Sequence, residues 1–312
     1  MKTINRVFVL VGVLLALSLT GCIKTEPVKH VTLTNLEHVS PPEKGSKETL
    51  YVALAVGLSP TQSIAKYQAL TAYLSETLNR PVELVQKKTY KEVDDLIEEG
   101  KVDIAFVCSS SYVIGHEKFG ERLVAVPIAN GSPYYQSVII ANAGTNIQNW
   151  SQLKGRSFAF VDPQSTSGAL YALSLVKDRG GLNYFKSYIY TYGQSNSIAA
   201  VRDHLVDAAT VDNYTLASTL AKSPQLANTI RIIDTSPEYG NNPVVASPRL
   251  DEQTFMAVQN TLLKMDKDVA GQEALQTAGY DRFDLLEDSI YNSVRDLVEL
   301  NNSVRNLKEL GT

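Results

Sequence analysis

Cysteine and histidine are both scarce in this chain of 312 residues, which holds two Cys (Cys22, Cys108) and four His (His30, His38, His116, His204). No histidines stand at a spacing that builds a metal site. A G-x-S-x-G elbow and a Walker A loop are also missing. With no catalytic base, activated nucleophile or metal in view, neither an enzyme activity nor a cofactor is expected. Cys108 has two readings, nucleophile or buried small hydrophobe, and the second is favoured because no histidine lies in a comparable turn. A basic stripe is lacking too: the net charge is −4, from 29 Lys and Arg against 33 Asp and Glu. That argues against a nucleic-acid partner. It also means that an anionic ligand has to be held by local dipoles against an unfavourable overall field. The apolar run from Val7 to Leu19 is too short to span a bilayer comfortably, and no repeat of 20–50 residues is visible.

What is present at the N-terminus is a secretory pattern. Lys2 and Arg6 precede the apolar run, and Leu19-Thr20-Gly21-Cys22 follows it. Small residues directly before a cysteine resemble a bacterial lipobox, which makes residues 1–21 a signal peptide and Cys22 the lipidated first residue. A plain secretory signal with an incidental cysteine is the alternative. Removal of Lys2 and Arg6 takes two charges from the net −4, leaving −6. With Cys22 acylated, Cys108 has no partner for an intramolecular disulfide despite an oxidising compartment. Residues 22–49, with Pro41-Pro42, Gly45-Ser46 and many polar side chains, read as a flexible tether. The expected location is extracytoplasmic, anchored to a membrane by the N-terminal lipid.

The remaining length and the 44% apolar content suit two α/β lobes. Strand patterns at Leu50–Val56, Val82–Val85 and Asp103–Val107 alternate with helical patterns at about Ser63–Leu78 and Lys91–Glu99, so a parallel sheet covered by helices is expected. Ile64, Tyr67, Leu70 and Leu74 form the apolar face of the first helix. A hydroxyl-rich turn, Cys108-Ser109-Ser110-Ser111, follows the third strand at the carboxyl edge where open α/β sheets bind ligands. Residues 130–141 and 237–246 read as two crossings between lobes. They divide the chain into lobe one (50–132 and 243–312) and lobe two (133–242). From Asp251 onward the pattern is helical, with core stripes at Phe255, Val258, Leu262 and Met265, then at Leu285, Ile290, Val294 and Leu297.

The most informative stretch is Ser157-Phe-Ala-Phe-Val-Asp162-Pro-Gln-Ser165-Thr166-Ser167-Gly168. It reads as a strand, a turn and a helix start capped by Ser165. Unpartnered N–H groups and the positive end of the dipole make an anion seat there, to which Ser165, Thr166 and Ser167 can each add a donor. Gly168 is expected to let the anion approach the backbone. The plainer alternative is a capping Ser165 with two hydroxyls facing water.

From about Leu50 to about Asp281 the chain resembles the phosphate, phosphite and phosphonate substrate-binding proteins of bacterial ABC importers. The matching motifs, in order, are Lys101-Val-Asp-Ile-Ala-Phe106, Gly131-Ser-Pro-Tyr-Tyr-Gln-Ser137, Asp162-Pro-Gln-Ser-Thr-Ser-Gly168, Asn196-Ser-Ile-Ala-Ala-Val201 and Val206-Asp-Ala-Ala-Thr210. The resemblance implies a type II periplasmic-binding-protein fold, two α/β lobes joined by two hinge strands and closing on a small oxyanion. It implies an ABC permease as partner, and monomeric function is the usual expectation for such an architecture. It also makes Ser165, Thr166 and Ser167 oxygen donors, with Tyr135 and Tyr90 adding hydroxyls from the crossing and from lobe one.

Two departures from the family pattern stand out. Gln194 occupies the turn where the family often has His; it can still donate to an oxyanion but cannot carry a proton-dependent charge. Relatives that hold an aminoalkylphosphonate use acids for its ammonium, whereas the second crossing here has Asn241-Asn242. The one acid nearby is Asp212, either an acceptor for a protonated oxygen of the ligand or an exposed loop carboxylate. Ser165, Thr166, Ser167, Tyr135, Tyr90, Gln194, Asp212 and Asn242 therefore form the expected ligand set. The architecture also serves receptors that signal to a membrane histidine kinase, including arsenic sensors that use a cysteine, and neighbouring genes discriminate the two roles.

Overall fold

The computed structural model describes residues 49–55 and 60–309. The signal segment, Cys22 and all but the last residue of the tether lie outside the described residues, as does the loop at 57–59. In chain order the elements begin with β1 (Leu50–Ala55), α1 (Pro60–Leu78), β2 (Val82–Lys87), α2 (Tyr90–Glu98), β3 (Ile104–Phe106) and α3 (Ser109–Phe119). β4 (Arg122–Ile128), β5 (Tyr134–Asn142) and β6 (Ser157–Phe160) follow, then a π-helical turn (Thr166–Leu170) that runs into α4 (Tyr171–Val176). Next come β7 (Ser187–Tyr190), α5 (Gln194–Arg202), β8 (Ala208–Asp212), α6 (Asn213–Lys222), β9 (Ile230–Gly240) and β10 (Val244–Ala246). The chain finishes with α7 (Glu252–Lys264), α8 (Val269–Ala278), β11 (Arg282–Asp284) and α9 (Asn292–Glu309).

Two sheets result. One has the order β11-β4-β10-β3-β1-β2, the other β7-β6-β8-β5-β9. The pairs reached through helical crossovers are parallel: β1 with β2 and β3, and β6 with β7 and β8. β10 and β5 are antiparallel to their neighbours. The sheets are therefore mixed, where βαβ alternation alone pointed to parallel ones. β5 and β10 enter their sheets straight from a crossing, without the long connection that parallel pairing requires.

The first crossing opens with Asn130-Gly131, both at positive φ (51° and 76°), in a two-residue hairpin loop closed by Ala129 and Ser132. β5 then pairs with β9, Tyr135 opposite Tyr239, and the Asn241 N–H donates to Pro133 O at 2.8 Å. The two connections thus lie side by side. Tyr291 clamps them from lobe one, its hydroxyl donating to Asn241 O at 2.8 Å.

Apolar residues pack on both faces of each sheet. Leu70 and Leu74 of α1 meet Val258, Leu262 and Met265 over one face of the first sheet, while Val294 and Leu297 of α9 cover the other. Leu70, Leu74 and Leu262 are fully buried and each contributes about 1.5–3 kcal/mol. That second cluster includes Tyr135, Tyr239 and Leu170, so it continues through the crossings into the other lobe. The helical stripe assigned to Leu285 is corrected by the structure. Leu285 is 59% exposed and follows β11, and the helix begins only at Asn292. Three-residue strands carry too few side chains to show a period.

Candidate functional site

The turn after β6 is built by Asp162. Its Oδ1 accepts the Gln164 N–H at 2.8 Å and its carbonyl accepts the Ser165 N–H at 2.9 Å, the folding-back that Asp-Pro favours. Ser165 caps the π-helical turn, its Oγ accepting from Gly168 N at 3.0 Å. The wide turn arises because the Ala169 and Leu170 N–H groups share Ser165 O, and such turns are frequent at functional sites. Gly168 has a different role from the one expected. A Cβ there would sit 2.4 Å from the Val161 Cβ, and Val161 N donates to Gly168 O at 2.7 Å. The glycine lets the turn lie on its own strand.

Ser167 is fixed from below. Its carbonyl accepts from Ser137 Oγ at 2.7 Å and Thr210 Oγ1 at 2.6 Å. Gln194 spans the same platform, with Nε2 donating to Ser167 Oγ at 3.4 Å and Oε1 accepting the Asp212 N–H at 3.1 Å. Asp212 itself is half-buried and caps α6, accepting from Thr215 N at 2.6 Å and Thr215 Oγ1 at 2.7 Å. The exposed-loop reading is thereby corrected. Burial raises its carboxyl above the ordinary range, opposed by the Thr215 bonds and by Lys66.

Lobe one meets this turn with the N-terminus of α3. The Ser110 N–H donates to Thr166 Oγ1 at 3.0 Å, Ser109 Oγ lies 3.0 Å from the same oxygen, and the Thr166 N–H points at Cys108 Sγ at 3.3 Å. Tyr135 OH is 3.0 Å from Ser109 Oγ, and Asn242 Oδ1 accepts the Ser109 N–H at 3.2 Å. Next to them Ser110 Oγ donates to Gln164 O, Gln164 Nε2 donates to Asp94 at 3.2 Å, and the Tyr90 N–H reaches Asp162 Oδ2 at 3.4 Å. Asp162 to Thr166 is therefore clasped between α2 and α3. Burial lifts the Asp94 carboxyl to about 7, opposed by hydrogen bonds from Ser111 and Gln164.

The phenols of Tyr90 and Tyr135 are raised by burial, and Cys108 is the largest electrostatic neighbour of each. They stay neutral donors at any physiological pH. Tyr67 packs on Phe106 at the end of β3, with ring centres 4.8 Å apart, and the Lys66 Nζ lies 5.5 Å from the Tyr67 ring centre.

All eight expected ligand residues fall at or beside this junction of the lobes. The expected set omitted Cys108, Ser109 and Ser110, although their hydroxyl-rich turn was placed on the binding edge. It also omitted Asp94 and Gln164. Among the described residues no group of three His, Cys, Asp or Glu side chains is arranged to hold a metal. The chemistry on offer is neutral hydrogen-bond donation from hydroxyls, amides and helix mouths, which suits reversible capture of a small oxyanion.

Known proteins resemble this chain. The family model described as "ABC transporter, phosphonate, periplasmic substrate-binding protein" matches residues 52–291. A phosphate-import protein, PhnD, of Mycolicibacterium smegmatis is 27% identical over 247 residues, which is 71% of this chain and 74% of that one. A phosphonates-binding periplasmic protein of Escherichia coli is 28% identical over 204 residues, covering 63% and 60%. Among solved structures, PhnD1 of Prochlorococcus marinus in complex with methylphosphonate superposes with a TM-score of 0.74 at 19% identity, covering 84% of this chain and 99% of that one. The likeness extends to the type II periplasmic-binding-protein fold.

Proposed function

Because the chain belongs to the periplasmic substrate-binding proteins of phosphonate ABC transporters, we propose that it captures a phosphorus oxyanion (phosphonate, phosphite or phosphate) between its lobes and presents it to an ABC permease. The observation that carries this reading is the clasp. The mouth of the Thr166 turn and the mouth of α3 face each other across the junction, so donors from both lobes converge at one place. Ser165, Ser167, Tyr90 and Tyr135 supply donors around it, and Asn242 and Gln194 hold the two mouths in position. Hinge closure about β5 and β9 removes the anion from water among neutral donors and completes the surface that a permease recognises. Binding and release, without a chemical step, is the whole task.

The same proposal includes an extracytoplasmic monomer tethered by a lipid on Cys22, with lobe one formed by residues 50–132 and 243–312 and lobe two by 133–242. Uptake tests the role directly. Cells lacking the gene are expected to lose uptake of labelled methylphosphonate or phosphite and regain it with the wild-type chain. Cells carrying Cys22→Ala are expected to release the chain from the membrane fraction. Uptake undiminished by the deletion for phosphate, phosphite and methylphosphonate alike would overturn the import role.

A further inference from the structure

The Thr166–Leu170 turn belongs to lobe two, yet lobe one holds it at both ends. At its first residue the Ser110 N–H donates to Thr166 Oγ1. At its last residue Asn301, on α9, donates from Nδ2 to Leu170 O at 3.2 Å. The same nitrogen donates to Leu297 O, one turn back in its own helix, at 2.8 Å. Both of its protons are thus placed, and the side chain is held aimed at the turn. The Leu170 side chain follows its carbonyl: it is buried, in one apolar cluster with Tyr291, Val294, Leu297 and Val298 of lobe one.

The other end of α9 is tied to the second crossing. Tyr291, directly before the helix, donates to Asn241 O at 2.8 Å, and Ser293 Oγ donates to Glu238 O at 3.4 Å. From Ser293 to Asn301 the helix rises about 12 Å. α9 is therefore a stiff link between the crossing and the base of the oxyanion turn. It grips that turn through Leu170, beyond the hydroxyls of Ser165, Thr166 and Ser167.

We infer that α9 is a strap that sets how long the lobes stay closed on an oxyanion, with Asn301 as its positioning residue. The inference deepens the oxyanion reading above and rests on it. Parting the lobes about the crossings carries Leu170 away from lobe one. That movement breaks the Asn301 bond and exposes an apolar side chain to water, and both costs fall on the opening step. Opening precedes release. The strap thus slows release without adding a contact to the ligand.

The test is phosphorus NMR of the detergent-solubilised full-length chain with phosphate, phosphite and methylphosphonate, which reads occupancy and the rate of exchange between bound and free anion. Asn301→Ala suits a helix but has no donor, and it is expected to speed release about threefold or more, the scale of one hydrogen bond. Leu170→Ala is expected to speed release as well. Asn301→Gln restores a donor and is expected to keep most of the wild-type rate, whereas Asn302→Ala, at the exposed neighbouring position, is expected to leave it unchanged. A merely structural role for Asn301 would lower the urea midpoint and leave the release rate alone. A rate that either Asn301→Ala or Leu170→Ala leaves unchanged overturns the inference, as does an equal acceleration by Asn302→Ala. In each of these cases binding by the wild type leaves the oxyanion reading standing. Failure of the wild type to bind any of the three anions overturns both.

Discussion

Thr166 Oγ1 accepts the Ser110 backbone N–H at 3.0 Å, joining the helix mouths of two lobes whose sequences are 56 residues apart at this contact. Ser167, next in the chain, is held by Gln194. Replacing both residues with alanine removes a lobe-to-lobe bond and, on the proposed function, one hydroxyl donor to the oxyanion. Hydrogen bonds to charged groups are worth about 1.5–3 kcal/mol, so Thr166→Ala with Ser167→Ala is expected to weaken methylphosphonate binding at least tenfold. Calorimetry reads this directly, and unchanged affinity would remove both residues from the site.

Gly168 should tolerate no side chain. Its missing Cβ would lie 2.4 Å from Val161 Cβ and 2.8 Å from Ser165 Oγ, so Gly168→Ala overpacks the turn. The expected loss of stability is about 1–3 kcal/mol, visible as a lower urea midpoint together with weaker oxyanion binding. A variant equal to wild type in both would contradict the packing role.

Asp94 makes stability depend on pH. Its folded carboxyl, at about 7, lies above the ordinary 3.8, so between these values the folded chain holds a proton that the unfolded chain has released. The stability from this group is therefore full below about 3.8 and is lost as pH rises through about 7. Glu121, fully buried with neither carboxylate oxygen hydrogen-bonded, acts in the same direction. Asp94→Asn is expected to flatten part of the decline in urea midpoint between pH 4 and 8, and Glu121→Gln a further part. A wild-type midpoint that rises over that interval, with variants that follow it, would refute both assignments.

Gln194 stands between Ser167 and Asp212 as a neutral amide. An imidazole in its place gains charge as pH falls through about 6.5. The ratio of Gln194→His to wild-type affinity for phosphite is expected to rise as pH falls from 8 to 5.5. Comparing variant with parent cancels the ligand's own titration, and a flat ratio would show that this side chain does not face the anion.

The helix mouth at Ser165 was legible because its signals are local: a short apolar strand, Asp-Pro, then three hydroxyls before an apolar helical spacing. The crossings were legible for a similar reason, since Asn-Gly and Asn-Pro interrupt apolar runs. What the pattern concealed are contacts made only when the lobes meet. Gln164 to Asp94 and Thr166 to Cys108 join residues distant in sequence, and no periodicity relates them. A glycine at a helix mouth suits two needs, approach of a ligand and close packing of the turn, and the second shows only in the proximity of Val161. The antiparallel entry of β5 and β10 is not legible in the sequence because strand direction follows from connections rather than from strand composition.

The most direct test of oxyanion capture is calorimetric titration of the detergent-solubilised full-length chain with phosphate, phosphite and methylphosphonate, beside arsenite as a control of different chemistry. The account predicts saturable binding of at least one phosphorus oxyanion at one per chain, lost in the Thr166/Ser167 double variant. Arsenite binding with no response to any phosphorus oxyanion would contradict it and move the site to the Cys108 thiol.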